Sequence, residues 1–342
     1  MKHVFGLLPS DFNCSESEAS RILARAYGHR TTRPVARRVI EPLDDHRLEI
    51  IERATDPSDG FVKYLFRLDD GALAEAVRIP LEKEGCFSVC LSSQAGCAMG
   101  CDFCATGRLG LTRNLEPWEI VAQFVAVRDD GVGQTFLSGR NRRPDRNVWP
   151  TRISSAVFQG QGEPLHNYDN VMRAAQILSH PSCGRIAAKS ITISTVGLVP
   201  AIHRYAREQR PYRLIVSMTS AIDSKRRALL PVASAWSVAE LADAIRIYQR
   251  AASGRVTIAW VVLGGINTGV DEVDALRALF KDVPLRINLI DVNGETYARA
   301  NETELAAFRD ELRSLEVPVV RRYSGGAAKH AACGMLAAIH AQ

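Results

Sequence analysis

Three cysteines that could bind a metal lie close together in the stretch from Cys90 to Gly107, CLSSQAGCAMGCDFCATG. Cys97, Cys101 and Cys104 form a Cys-x3-Cys-x2-Cys run, so one loop can direct three sulfur atoms at a single metal centre. Thiolate is a ligand that both zinc and iron–sulfur clusters prefer. A four-iron cluster on this loop would lack its fourth protein thiolate, which would leave one iron open to a cofactor or substrate. The spacing therefore predicts a catalytic metal centre.

Zinc is the chemical alternative at this loop. Cys90 could supply the fourth thiolate of a tetrahedral zinc site, although structural zinc cysteines usually occur as two close pairs. The spacing therefore favours an iron–sulfur cluster and leaves zinc open. Three isolated cysteines are interpreted as small buried hydrophobic residues without an assigned role: Cys14, Cys86 and Cys183.

Length and composition indicate the domain organisation and the cellular compartment of the protein. The chain has 342 residues, of which 46% are hydrophobic, and this favours one main α/β domain with an appendage. Eight cysteines are too few for a disulfide scaffold and indicate a reducing compartment. No apolar run is long enough for a membrane span, and the N-terminal apolar run is too short for a signal peptide. These features predict a soluble cytoplasmic enzyme.

Strand and helix patterns alternate from Cys86 to the C-terminal region. Such alternation predicts parallel strands wrapped by helices, and six units predict a partial (β/α)6 barrel rather than the closed form with eight strands. The predicted strands span residues 86–92, 153–158, 190–195, 213–218, 255–262 and 286–291. The predicted helices span residues 115–128, 168–179, 197–208, 237–251, 271–281 and 302–314, and a seventh strand spans 317–323.

The region before Cys86 is predicted to be an accessory region. The sequence predicts short helices at 15–27 and around 43–54, followed by antiparallel strands at FVKYLFRL and Ala72–Ile79. We therefore divide the chain into an N-terminal helical region, an antiparallel β extension and the partial barrel with its C-terminal segment, at residues 1–57, 58–85 and 86–342.

Polar and glycine residues follow the predicted strands at their carboxyl ends, where the active sites of β/α barrels lie. Gly162 would let the backbone approach a ligand closely, while Glu163, Ser194 and Asn293 supply hydrogen-bonding groups. Turns alone would explain the glycines. They would not explain a carboxylate, a hydroxyl and an amide at successive strand ends beside three cysteines, so the sequence predicts a ligand site at this edge.

Several motifs carry a resemblance to a known family. SSQAGC, FCATG and LTRNL surround the cysteine run, and GQGEPLHNYDNV, ITISTVGLVPAI, RVTIAWVVLGGIN, INLIDVN and HAACGML follow in the family's order. Over residues 58–338 the chain resembles radical S-adenosylmethionine (SAM) methyltransferases that act on adenine carbon 2 of 23S rRNA and tRNA. It also resembles their carbon-8 relative, the chloramphenicol–florfenicol resistance methyltransferase. The resemblance implies a 4Fe-4S cluster on the three cysteines, SAM on the open iron, and two SAM molecules per turnover.

The resemblance also assigns contacts to SAM. Gly162 and Glu163 would hold the amino group of its methionine part, and further contacts would come from Ser194, Ser217, Met218, Thr219 and Asn293. The family usually reads Ser-Leu-His where this chain reads Ser217-Met218-Thr219, and its methionine-rich strand end is Phe158-Gln159-Gly160-Gln161 here. Ala328-Lys329-His330 replaces an acidic pair, and the family's helical N-terminal domain is shortened. These departures leave the target of the methylation open.

The same resemblance implies a catalytic role for two further cysteines and a glutamate. Cys333, in AACGML, would accept a methyl group from one SAM, and a 5′-deoxyadenosyl radical from the second SAM would remove a hydrogen from that methyl. Cys90 would resolve the resulting protein–substrate adduct through a transient disulfide with Cys333. Glu75 matches the position of a proton acceptor, although its residue type and strand pattern alone favour a surface carboxylate.

Basic segments suggest an anionic partner for a chain with a net charge of +5. Residues 136–152 carry Trp149 and five arginines, and Arg30–Arg38 is a second basic run. Either segment could bind RNA phosphates or form an ordinary solvated surface. The arginines of the first segment are Arg140, Arg142, Arg143, Arg146 and Arg152. We expect structured RNA as substrate, flavodoxin or ferredoxin as electron donor, no membrane contact and a monomeric protein.

The sequence as a whole predicts a radical SAM methyltransferase that modifies an aromatic carbon, with adenine carbon 2 of 23S rRNA or tRNA as the expected target. Two alternatives stay open. A relative of the family could have been retargeted to adenine carbon 8, another RNA site or a small molecule. A non-catalytic, metal-binding protein associated with RNA is the third interpretation.

Overall fold

The computed structural model describes residues 2–29, 43–137, 152–252, 255–293, 296–322, 325–326, 332–333 and 335. Its strands are β1 Glu49–Thr55, β2 Val62–Arg67, β3 Leu73–Pro80, β4 Cys86–Leu91, β5 Gln94–Gly96, β6 Leu111–Asn114, β7 Arg152–Phe158, β8 Ile191–Thr195, β9 Arg213–Ser217, β10 Val256–Val262, β11 Leu285–Asp291 and β12 Val319–Arg322. Its α-helices are α1 Glu16–Ala26, α2 Ala105–Leu109, α3 Pro117–Leu137, α4 Tyr168–Ser179, α5 Val199–Arg207, α6 Asp223–Leu229, α7 Val238–Ala252, α8 Val270–Phe280 and α9 Glu302–Arg313.

One open sheet organises the described part of the chain. Its strand order is β1-β2-β3-β4-β7-β8-β9-β10-β11-β12, and β5 and β6 form a separate pair. The first four strands are antiparallel, and all pairs from β4 to β12 are parallel. The antiparallel extension therefore continues the parallel sheet without a break. Because β1 and β12 remain as edges, the sheet confirms the predicted α/β architecture with a parallel sheet that does not close.

The parallel strands are buried because helices cover them. In β10, the run VTIAWVV contains Trp260, whose side chain is completely buried. Parallel strands that are covered on both faces have near-continuous apolar sequences, and the carboxyl ends of such strands meet at one edge. This burial explains why the predicted bounds of the parallel strands agree with the observed ones to within two residues. The helix predicted at 115–128 instead continues to Leu137, and the short helices α2 and α6 were not predicted. No helix in the described ranges is long and apolar enough to cross a membrane.

The helix predicted around 43–54 is wrong, because Glu49–Thr55 forms strand β1. Its residues pair antiparallel with β2, as in the pair of Arg53 with Tyr64. Charged and apolar residues in EIIERAT fit a helix as well as a half-buried strand, and pairing with the neighbouring strand decides between them. Most of the basic stretch 136–152, the run Arg30–Arg38 and the Ala328-Lys329-His330 motif lie outside the described residues.

Candidate active site

The cysteine run lies on the loop that connects β5 to β6, and the two ends of this loop lie close together. The amide of Cys97 donates to the carbonyl of Gly110 at 2.8 Å, which closes the neck of this loop. Gly96 has a φ of 77°, and a Cβ at this position would lie 2.0 Å from the Gly110 carbonyl oxygen. Glycine is therefore required at Gly96, because any side chain would push the two ends of the loop apart.

The inner part of the loop is fixed by hydrogen bonds on both sides. The amide of Cys104 donates to the carbonyl of Cys101 at 3.1 Å, and this turn starts helix α2. The amide of Asp102 donates to the carbonyl of Leu229 in α6 at 3.1 Å, and its carboxylate accepts a 2.5 Å hydrogen bond from the hydroxyl of Tyr297. The loop is thus held against two other segments of the chain before any metal binds.

All three cysteines line a cavity of about 150 Å³ at the carboxyl ends of the parallel strands. Three thiols on one loop at this edge can bind a single metal centre, as the Cys-x3-Cys-x2-Cys run predicts. Cys90 does not line this cavity but packs with Val77 and Val157, so its placement gives no support for a fourth zinc ligand.

Burial makes the Cys97 and Cys101 thiols weak acids. It raises the pKa of the Cys97 thiol to about 11 and that of the Cys101 thiol further, with Cys104, Cys97 and Glu163 adding to the rise at Cys101 through their negative charge. Metals bind the thiolate form, so metal binding must release these protons. A metal centre on this loop must therefore carry enough positive charge to displace the protons of the cysteine thiols.

Glu163 lies in the same cavity and organises the loops around it. Its two carboxylate oxygens accept hydrogen bonds from the amides of Leu165 and Val196, at 2.9 and 2.8 Å. Burial raises the pKa of this carboxyl to about 7, although the backbone donors oppose the shift. Gly162 precedes it with a φ of 93°, and a Cβ there would lie 2.5 Å from the Cβ of Gln94. The carboxylate can accept a cationic group, but its backbone contacts already fix its position.

Three predicted residues at other strand ends face the same cavity: Ser194 near the end of β8, Ser217 at the end of β9 and Asn293 after β11. The Asn293 amide donates to the carbonyl of Cys333 at 3.1 Å and accepts from the guanidinium of Arg299 at 2.6 Å. Cys333 also lines the cavity and packs on Ile290. The structure therefore brings the C-terminal cysteine to the cysteine loop across 229 residues of sequence after Cys104.

Met218 and Thr219 are completely buried and do not line the cavity among the described residues. Thr219 has a φ of 61°, which is unusual for a β-branched residue, and its carbonyl accepts from the amide of Asn267 at 2.6 Å. Asn267 also donates to the carbonyl of Val261 at 2.8 Å. The backbone of the loop after β9 is thus fixed by hydrogen bonds, and the Thr219 side chain is buried.

Cys90 and Cys333 interact electrostatically across the interior of the protein. Burial raises the pKa of the Cys90 thiol to about 12, and the neighbouring Cys333 contributes to the rise. All eight cysteines, each in the described part of the chain, are free thiols, so the predicted disulfide is not formed in this state. Cys90 would need to lose a proton before it could act as a nucleophile.

Glu75 is completely buried, so its interpretation as a surface carboxylate is wrong. Its carboxylate lies 3.2 Å from the ammonium of Lys63, whose side chain is 1% exposed. Val77, two residues along β3, pairs directly with Cys90 on β4. Because side chains alternate along a strand, Glu75 lies on the same face of the sheet as Val77 and Cys90. The buried ion pair of Glu75 with Lys63 therefore lies two residues along β3 from Val77, the residue that pairs with the predicted resolving cysteine.

Arg226 is a site residue that the sequence did not reveal. It lies in the short helix α6 and is 2% exposed. Its guanidinium donates to the carbonyl of Met218 at 3.1 Å and to the carbonyl of Val196 at 2.6 Å. Burial lowers its pKa to about 10, and its positive charge opposes the rise in the pKa of the Cys101 thiol. Arg226 thus connects the loops after β8 and β9 with the cysteine loop.

Comparisons with known proteins agree with this geometry. The model of the Radical SAM superfamily matches residues 91–279. A "Probable RNA methyltransferase" of Anaeromyxobacter sp. (strain Fw109-5) is 50% identical over 286 residues, which cover 82% of this chain and 79% of that relative. The "Dual-specificity RNA methyltransferase RlmN" of Geobacter sulfurreducens is 40% identical over 281 residues, which cover 81% of this chain and 72% of the relative.

A solved structure extends the similarity to the whole fold. The crystal structure of a radical SAM methyltransferase from Sphaerobacter thermophilus has 31% sequence identity and a TM-score of 0.82. The match covers 99% of this chain and 100% of that chain. The sequence comparisons and the fold comparison therefore both identify methyltransferases as relatives of this chain. The chain belongs to the radical SAM superfamily and, within it, to the RlmN family of RNA methyltransferases.

Proposed function

We propose that this protein methylates carbon 2 of an adenine in 23S rRNA or tRNA through a methylated Cys333. The observation that carries the proposal is the position of Cys333, which lines the same cavity as Cys97, Cys101 and Cys104. A methyl group on its sulfur would therefore lie where the cluster loop and the strand-end residues meet. Adenine carbon 2 is electron-poor, so an ordinary polar methyl transfer would not modify it.

Membership of the superfamily implies a 4Fe-4S cluster and SAM, and the residues fit both. The three cysteines would hold the cluster, which when bound supplies the electron that splits SAM into methionine and a 5′-deoxyadenosyl radical. The Glu163 carboxylate would accept the amino group of SAM, and the side chains of Ser194 and Asn293 would contact its other polar groups. The buried walls of the cavity exclude water from the reaction. A flavodoxin or ferredoxin is the electron donor that we expect.

In this proposal the protein supplies two thiols and a carboxylate. The Cys333 thiolate attacks the methyl group of one SAM, so the sulfonium carbon–sulfur bond breaks and S-adenosylhomocysteine leaves. After the methyl-derived carbon has joined the base as a radical, Glu75 would take the proton from the modified carbon, and the unpaired electron would return to the cluster. The Cys90 thiolate then attacks the Cys333 sulfur, and the bond from that sulfur to the methylene carbon breaks. This carbon takes up a proton and becomes the methyl group of the released base, while Cys90 and Cys333 form a disulfide that cellular thiols reduce. The contribution of Cys333 to the raised pKa of the Cys90 thiol supports this last step.

Deuterium in the methyl group of SAM tests the route of the carbon. With unaltered protein and RNA, the product should keep two deuterium atoms, because the third leaves with 5′-deoxyadenosine. Nucleoside mass spectrometry gives this count and identifies the modified position. A product with all three deuterium atoms would show direct transfer and overturn the role of Cys333. A label on adenine carbon 8, on another nucleoside or on no RNA would instead overturn the proposed target.

Two cysteine variants separate the roles in this route. Cys333→Ala should make neither product nor a covalent complex with RNA, whereas Cys90→Ala should accumulate that complex. The double variant should resemble Cys333→Ala alone, because both residues act in one sequence of steps. Cys183→Ala is a matched control, since Cys183 is also a buried thiol but belongs to the core beside α4. Denaturing gel electrophoresis reports the complex, and its absence in Cys90→Ala would contradict the resolving role.

A further inference from the structure

A second cavity lies at the opposite edge of the parallel sheet, at the amino ends of the strands. Its volume is about 530 Å³. Five of the residues that line it are basic, and none of the described lining residues is acidic. The basic residues are Lys189, Arg210, Arg213, Arg255 and Arg286.

The positions of these cations follow from the sheet topology. Arg213 begins β9, Arg255 comes directly before β10, Arg286 is the second residue of β11, and Lys189 lies two residues before β8. These four strands are neighbours in the sheet, in the order β8-β9-β10-β11. Because all four run parallel, their amino ends meet at one edge, and each strand carries one positive charge there.

Four of these charges are uncompensated within the described part of the chain. Arg210 forms an ion pair with Glu208 at 2.5 Å, whereas no carboxylate there lies within 4 Å of the other four cations. Many other surface arginines have such a partner, as Arg277 does in Asp274. Like charges gathered around one concave surface repel one another, and a bound anion relieves that repulsion. We name Lys189, Arg213, Arg255 and Arg286 the basic edge.

The floor of the cavity shows which part of an anionic ligand it can contact. Three tyrosines line it, but their exposed fractions are only 0 to 7%. The hydroxyl of Tyr205 donates to the carbonyl of Tyr212 at 2.9 Å, and the amide of Leu214 donates to the hydroxyl of Tyr248 at 3.1 Å. These rings therefore cannot stack on bases, and the contacts available to a ligand are the exposed guanidinium and ammonium groups. Such groups bind phosphates and carry little sequence information.

We propose that the basic edge binds backbone phosphates of the RNA substrate at a distance from the modified base. The proposal deepens the proposed function, since it rests on RNA being the substrate. The seven residues of β10 separate the two edges by roughly 20 Å, at about 3.3 Å per residue. A structured RNA that places a base in the carboxyl-end cavity can extend along the side of the sheet over this distance. The basic edge would then contribute affinity and orientation without reading the base.

Salt dependence measures the number of phosphates that the protein contacts. Four phosphate contacts would contribute roughly −2.8 to −3.6 to the slope of log K against log salt. The test uses labelled bacterial tRNA and the full protein with its cluster, and anisotropy is measured at several salt concentrations. The basic-edge variant carries Lys189→Gln, Arg213→Gln, Arg255→Gln and Arg286→Gln. It should bind at least tenfold more weakly than the unaltered protein, with a slope reduced by about 3.

Two further variants make this test specific. A control variant carries Arg277→Gln, Lys281→Gln, Arg309→Gln and Arg313→Gln, which removes the same formal charge from α8, α9 and the turn that follows α8. It should keep most of the affinity and slope. The conservative variant Arg213→Lys, Arg255→Lys and Arg286→Lys keeps all charges and should retain the slope, which separates charge from folding defects. Equal losses in the basic-edge and control variants would overturn the proposal.

The outcomes also separate this proposal from the proposed function. If unaltered protein methylates RNA but the basic-edge variant binds like the control variant, the phosphate contact is wrong and the function stands. If tRNA binds with the expected slopes but no RNA is methylated, the function fails and the phosphate contact stands. Tripolyphosphate is the competitor that tests a free phosphate compound as the ligand. If the basic-edge variant loses tripolyphosphate binding but keeps its affinity for tRNA, the assignment to RNA is overturned.

Discussion

The two edges of the parallel sheet both carry charged groups, but they hold them in opposite ways. At the carboxyl edge, Glu163 and Arg226 are 3% and 2% exposed, and their polar atoms are bonded to backbone groups. At the amino edge, the four cations of the basic edge are exposed and have no carboxylate partner within the described residues. The first edge fixes charges at defined positions, and the second presents them to solvent.

This difference indicates which edge can perform chemistry. A buried charge is costly unless hydrogen bonds compensate it, and such bonds fix its position to within a fraction of an ångström. Exposed charges are screened by salt and their side chains are mobile, so they suit long-range attraction and weak positioning. We therefore expect changes at the carboxyl edge to affect stability and metal chemistry, and changes at the amino edge to affect affinity for an anion.

The largest effect is expected from the cysteine loop. Cys97→Ala, Cys101→Ala or Cys104→Ala should each abolish binding of about four irons and the brown colour of protein purified without oxygen, because each change removes one ligand. Iron analysis and absorption spectra measure this. Cys14→Ala is the control, since Cys14 lies near α1, far from this loop in sequence. A colourless protein with stoichiometric zinc would contradict the assignment.

The second effect concerns Arg226. Arg226→Met should lower the free energy of unfolding by roughly 2–5 kcal/mol, because the buried carbonyls of Val196 and Met218 both lose their donor. Urea unfolding measures this change, and Arg227→Met is the control, since Arg227 is exposed on the same helix. Loss of the positive charge near Cys101 should also make a bound cluster harder to reduce, which a redox titration detects. Equal destabilisation by both variants would show that Arg226 contributes no special interaction.

The contrast between these residues explains what the sequence could reveal. The cysteine loop is a local pattern, and the strands of the parallel sheet have apolar runs long enough to recognise, so both were predicted. Helix α6 has only seven residues, too few for a clear helical period, and Arg226 was missed with it. The basic edge is spread over residues 189–286 and becomes one surface only when four strands pair in parallel.

The positions of other residues of the site depend on strand pairing and loop conformation rather than on residue type. The ion pair of Lys63 with Glu75 joins two strands, and the sequence alone gave no reason to bury that glutamate. The resemblance assigns Thr219 to SAM, but this residue has a φ of 61° and is completely buried. Such details follow from strand pairing and loop conformation, which a motif does not specify.

Glu163 provides a pH test of the buried edge. Burial raises its pKa in the folded state from 4.5 to about 7, so the folded protein holds this proton where the unfolded chain has released it. Without metal or SAM, stability should therefore fall as pH rises from about 4.5 to 7, by about 3 kcal/mol in total. Glu163→Gln should remove this dependence, as measured by urea unfolding across that range.

Glu304 is the matched control for Glu163, because its pKa is shifted the other way. It accepts a hydrogen bond from the amide of Gly265 at 2.7 Å, and this bond lowers the pKa of its carboxyl. Its contribution to stability is present above its ordinary pKa of 4.5 and is lost as pH falls below that value. Glu304→Gln should therefore weaken the protein most at neutral pH. If Glu163→Gln and Glu304→Gln changed the pH dependence of stability in the same way, burial of Glu163 would not be the cause of the predicted fall in stability between about pH 4.5 and 7.

The smallest effect is expected from a single change at the amino edge. Arg286→Gln should change the free energy of unfolding by less than about 0.5 kcal/mol, because the side chain is exposed and has no ion pair in the described structure. It should still reduce the salt slope for tRNA binding by roughly 0.7–0.9, the value for one phosphate contact. Arg313→Gln, on α9, is the control and should leave that slope unchanged. If Arg286→Gln destabilised the protein as strongly as Arg226→Met, the two edges would not differ in the way that their burial indicates.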